Sequence, residues 1–307
     1  MAASARSRLG GWIRHHPVAA YLALALTGSY LLLTVMALIE RDVLPGRDVP
    51  DMVGADMEEA ASLVLVLVLV ASALIVTRLE GGRAATSDLL RRTGRWRVPA
   101  RWWAVAVLGL PVTSLALALA LGDELATPSA SSLAHEAVSI VVALLLVNVS
   151  EEVAWAGFLQ TRLERRHRFF VAALLTALPF ALVHLPIRVV AREITGPQDV
   201  VGNLVGLLVI SAIVRTLLGV VLRGALNSVL LVAATHTMFN RSNNADGIVA
   251  DLVSGEARSV AALLASLLLT TGLCVAMRKH LTRDQRLALD ARETLLTPPS
   301  TSRSDLS

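Results

Sequence analysis

The chain has 307 residues, of which 55% are hydrophobic and 4% aromatic, with a formal net charge of +4. A mean hydropathy of +0.64 excludes an ordinary water-soluble globular protein, which needs far more polar surface at this length. Apart from Lys279 the basic residues are Arg, and they fall between apolar runs, so the charge points to membrane loops and not to nucleic acid.

Apolar runs of roughly spanning length occur at 18–39, 60–77, 102–121, 137–158, 169–187, 200–221, 225–241 and 259–277. They predict an all-α, polytopic transmembrane bundle of eight spanning helices. The first run follows Arg6, Arg8 and Arg14. It is longer than a signal-peptide core and no small-residue cleavage site follows it, so it reads as an uncleaved membrane helix. Segment 40–59 carries two Arg against seven acidic residues, and segment 78–101 carries seven Arg against Glu80 and Asp88. The segment "QTRLERRHR" (160–168), the turn near Arg223 and the tail after Met277 are also basic. This alternation predicts cytoplasmic N- and C-termini. Residues 84–97, "AATSDLLRRTGRWR", read either as an amphipathic helix on the cytoplasmic membrane surface or as a solvated basic loop.

The chain divides into N-terminal helices and a basic loop (1–136), a core (137–241), a last membrane helix (242–280) and a polar tail (281–307), expected to be disordered. Cys274, the single cysteine, excludes an intramolecular disulfide and any multi-cysteine metal site.

The polar residues inside the runs are few: Glu151 and Glu152 in the fourth, His184 in the fifth, Arg215 in the sixth, His236 and Asn240 in the seventh. Ionisable groups at bilayer depth are costly and are generally functional. Glu151 lies 14 residues before Arg165, His184 lies 15 after Phe169 and His236 lies 13 after Arg223. At 1.5 Å per residue each is about 20–22 Å from the basic edge, so an acid and two imidazoles reach one level. Asn240 is one turn from His236 on the same face. Arg215 reads most simply as a residue near the cytoplasmic end of its helix, with its head at the interface.

These residues resemble the CPBP family of intramembrane proteases, also called Abi or type II CAAX prenyl endopeptidases. Its pattern is EExxxR, then FxxxH, then HxxxN on successive membrane helices. Here the motifs are Glu151-Glu152 with Trp155 and Gly157, then Phe180 with His184, then His236 with Asn240, and Ser228 suits the run-up to the third. The resemblance covers roughly 137–241. It departs at Ala156, where the family has arginine; Glu152 must then find another cation, be protonated or reach water.

The resemblance implies hydrolysis of a peptide bond in a membrane-associated protein or peptide within the bilayer. Glu151 is assigned as general base on a water also held by His184. The family pattern makes His236 and Asn240 donors to the oxyanion, with Glu152 as a structural neighbour. No cofactor is expected; the rival mechanism has zinc bound by Glu151, His184 and His236. Two non-enzymatic readings stand beside it: a scaffold or bacteriocin-immunity-type protein with a degraded site, and a proton-coupled transporter. The resemblance also implies an integral protein of a bacterial plasma membrane.

Overall fold

The computed structural model describes residues 10–53 and 55–282. The tail read as disordered lies, from residue 283 on, outside the described residues. Among the described residues, eight long helices form the bundle: α1 Pro17–Glu40, α2 Met57–Thr93, α3 Ala100–Ala120, α4 Ala130–Leu163, α5 Phe169–Val190, α6 Pro197–Gly224, α7 Val229–Asn243 and α8 Arg258–Ala276. Their ends follow local chemistry. Pro17 occupies the first turn of α1, where its missing N–H costs nothing. The Asp56 carboxylate accepts from Glu59 N at 2.8 Å and the Glu59 carboxylate accepts from Asp56 N at 3.1 Å, a capping box that starts α2. Ser228 caps α7 through Leu231 N at 3.2 Å and donates to the Arg95 carbonyl at 2.5 Å. Among the described residues, one small sheet pairs Glu124–Leu125 with Val253–Ser254.

Neighbouring helices pack in the order α2, α1, α5, α6, α8, α3, with α7 packed on α3, α6 and α4, and α4 also on α2. Leu31, Leu67, Val138, Leu145 and Leu268 are exposed, as expected of a surface that meets lipid instead of water.

Of the eight expected spanning helices, seven have the length and apolarity to cross a membrane among the described residues. The exception is α7, whose 15 residues give about 22 Å against a hydrocarbon core of about 30 Å. It is shielded by its neighbours, so it need not match the lipid thickness. The helix parity nonetheless survives. His16 lies with Arg162 and Arg165 at the basic end, where Arg223 also donates to the Leu281 carbonyl at 3.2 Å. Glu40–Arg192 and Ser132–Asp251 contacts lie at the opposite end. Both ends of the described chain are therefore on the basic side.

Segment 84–97 is neither a free surface helix nor a loop throughout. α2 kinks at Gly82, whose φ of 67° suits a residue without a side chain, and then runs on to Thr93. Leu89, 1% exposed, plugs into a cluster with Val153 and Val229, and Arg92 Nη2 donates to the Gly157 carbonyl at 3.0 Å. The expected amphipathic face exists, but it is spent on the protein.

Candidate active site

The two glutamates stand on one α-helical turn, Val149–Glu152, between π-helical stretches Ala143–Asn148 and Val153–Gln160. Such insertions re-aim side chains and recur at functional sites. They coincide with a change of environment along α4. Leu145 and Leu146 are exposed, whereas every residue from Glu151 to Gln160 is buried. One helix thus carries its polar pair from lipid-facing surface into the bundle.

Three helices meet at this turn. His184 of α5 places Nδ1 2.7 Å from the Phe180 carbonyl. A carbonyl only accepts, so Nδ1 holds a proton and Nε2 is the nitrogen turned toward Glu151 Oε1, 3.6 Å away; with one proton on the ring, that nitrogen presents a lone pair. His236 of α7 donates from Nδ1 to Glu152 Oε1 at 2.8 Å and lies 3.7 Å from Glu151 Oε2. Phe180 forms an aromatic wall, its ring centroid 4.6 Å from His184 and 5.9 Å from His236. Glu151 and His236 are buried, while the His184 side chain is 26% exposed and marks the open side.

Among the described residues Asn240 makes its side-chain hydrogen bond to another amide and not to the glutamates. Its Nδ2 donates to Asn148 Oδ1 at 3.2 Å, and Asn148 in turn donates to the Ala143 carbonyl at 3.1 Å, within the first π stretch. A carboxamide has two N–H donors, so one of Asn240's remains for a ligand. Asn148, fully buried, was not legible as a site residue, although it stands one turn before Glu152.

The structure corrects the reading of Arg215. Its head is not at the interface. The side chain is 0% exposed, and Nη1 lies 2.7 Å from Glu152 Oε1, the same oxygen that accepts from His236. Ala156, where the family has arginine, is itself buried in an apolar cluster with Val214 and Leu218, the neighbours of Arg215 along α6. The cation for Glu152 therefore comes from the facing helix instead of from α4. A buried polar chain continues from it: Arg215 Nη2 to Gln160 Oε1 at 3.4 Å, Gln160 Nε2 to Glu164 Oε1 at 3.0 Å, and Arg223 Nε to Glu164 Oε2 at 2.8 Å. It ends at the basic face. The approach of Gln160 requires Gly219, since a Cβ there would stand 2.1 Å from Gln160 Nε2.

The zinc alternative needs Glu151, His184 and His236 to converge on one ion. Among the described residues no group of three or more His, Cys, Asp or Glu side chains is disposed to hold a metal. His236 commits Nδ1, the nitrogen nearest Glu151, to Glu152.

Comparison with known proteins places these groups in one family segment. A family model described as type II CAAX prenyl endopeptidase Rce1-like matches residues 133–242. No curated protein matches the chain. The matched segment contains both glutamates, both histidines, Asn148, Asn240 and Arg215, all on the helices just described. Residues 133–242 of this integral membrane protein are accordingly similar to the Rce1-like family of CAAX-protease-type endopeptidases.

Proposed function

We propose that the chain is an intramembrane endopeptidase that hydrolyses a peptide bond of a membrane-associated protein or peptide without a metal. The observation that carries this reading is the pairing of Glu151 Oε1 with the lone-pair side of His184 Nε2, at 3.6 Å. Both are acceptors, so they suit a single water that donates one hydrogen to each. Its oxygen lone pair is then directed at the substrate carbonyl.

Glu151 takes the proton as the C–O bond forms, and passes it to the amine nitrogen as the C–N bond breaks. Water is thus added across the bond: hydroxyl to the acyl carbon, hydrogen to the leaving amine. The free N–H of Asn240 and the Nε2 side of His236 face the developing oxyanion. Since His236 Nδ1–H is engaged by Glu152, donation from Nε2 requires the ring to carry both protons, and the two glutamates beside it are suited to hold that cation. Arg215 and Glu152 fix the ring orientation and take no part in bond making.

The test is a comparison of new peptide termini. Purified wild type and Glu151→Gln are reconstituted in vesicles with membrane proteins and tethered peptides, and the products are read by mass spectrometry. Termini produced by the wild type and absent with the variant support the reading. Identical products from both would overturn it and leave the non-catalytic scaffold.

A further inference from the structure

Twelve buried side-chain polar atoms lack a hydrogen-bond partner among the described residues, and five of them lie in one neighbourhood: Tyr21 Oη, Glu151 Oε1, Glu152 Oε2, Trp155 Nε1 and Arg215 Nε. Leaving such a group unmade is costly, so a concentration of them needs a physical reason. Four belong to the site segment. The fifth, Tyr21, comes from α1, more than a hundred residues before the family segment begins.

Tyr21 is 0% exposed. Its ring packs edge-on to Trp155, centroids 6.0 Å apart, and against Phe158 at 4.8 Å. Trp155 in turn meets Phe180, which lines the two histidines. Trp155, on which Tyr21 packs, stands about one helical turn after Glu151, so the Tyr21 ring lies against the stretch of α4 that carries the carboxylate. A phenylalanine would fill the same aromatic slot without burying an idle hydroxyl. We propose that Tyr21 is a positioning residue of the site: its hydroxyl donates toward Glu151 and fixes which carboxylate oxygen faces the reacting water. An O–H donor on a carboxylate is among the stronger hydrogen bonds in a dry interior. The site then includes a helix that the matched segment does not cover.

The experiment uses Tyr21→Phe, which keeps the ring and removes one oxygen. The kinetic arm rests on the hydrolase reading: kcat is expected to fall roughly tenfold or more, the loss of a bond to a charged group, with KM unchanged. The second arm does not rest on it. Infrared difference spectra assign the Glu151 carboxyl band by its loss in Glu151→Gln, and that band is expected to shift in Tyr21→Phe. An unmoved band, with Tyr21→Phe as stable as the wild type or more so, overturns the proposal and leaves an idle buried hydroxyl. If the wild type cleaves nothing, the hydrolase reading fails and the infrared arm still decides the role of Tyr21.

Discussion

Replacing Arg215 by Met leaves Glu152 wholly buried without the guanidinium that stands 2.7 Å from its Oε1. Removing one partner of a buried ion pair costs about 3–5 kcal/mol, because the remaining charge is stranded in low dielectric. Both side chains here are 0% exposed, so water cannot relieve the charge, but His236 still donates to the same oxygen at 2.8 Å, and the lower part of that range is expected. The same substitution cuts the 3.4 Å contact to Gln160. The assay is unfolding of purified protein in detergent micelles, for Arg215→Met, Glu152→Gln and the double variant. The double variant should recover most of the loss, since it buries no net charge. Arg215→Lys should fall between, because an ammonium is a point charge that cannot reach Glu152 and Gln160 with one planar fork. An Arg215→Met protein within about 0.5 kcal/mol of wild type, the range of a neutral surface change, would refute the argument that α6 supplies the counter-charge.

Further outcomes follow from the same geometry. Ala156→Arg, which restores the family residue, should destabilise the protein, because it forces a second cation into the apolar cluster beside Arg215; unfolding in micelles checks it. Gly219→Ala should cost about 1–3 kcal/mol, as its Cβ would stand 2.1 Å from Gln160 Nε2 and 2.9 Å from the Phe169 ring. Asn148→Ala releases Asn240 from its 3.2 Å bond, and should lower kcat more than it raises KM in a peptide-cleavage assay. Cleavage should persist after exhaustive chelation; loss of activity restored by added zinc would reverse the assignment of a metal-free mechanism.

Glu151, His184 and His236 were legible because an ionisable group inside an apolar run is conspicuous, and a fixed rise per residue places it in depth. The partner of Glu152 was not legible. Arg215 lies eight residues from Arg223, close enough to a basic edge that a flexible side chain reads as reaching for it, and its 63-residue separation from Glu152 hides the pairing. Asn148 and Gln160 are uncharged, and Tyr21 looks like any aromatic of a membrane helix; only packing shows that their polar atoms are enclosed. The helix count was readable from the apolar runs, but α7 was overextended because hydropathy cannot tell a lipid-facing helix from one sheltered inside the bundle. The run of α2 past "EGGR" to Thr93 was hidden too. Paired glycines read as a break, and here Gly82 only bends the helix.

The Glu152–Arg215 pair also has a history within each molecule. Glu152 is synthesised 63 residues before the arginine that neutralises it, roughly 3–13 s at ordinary ribosome speeds of about 5–20 residues per second. During that interval α4 is delivered to the bilayer carrying two acids and no counter-ion, and α6 later arrives with a cation whose insertion alone costs about 2.5–3.5 kcal/mol. Each helix is apolar enough to span, yet each carries a charge that lipid cannot pair. Both charges are relieved together when the pair closes, so the ion pair that orders the site also ties the docking of α4 to the later arrival of α6.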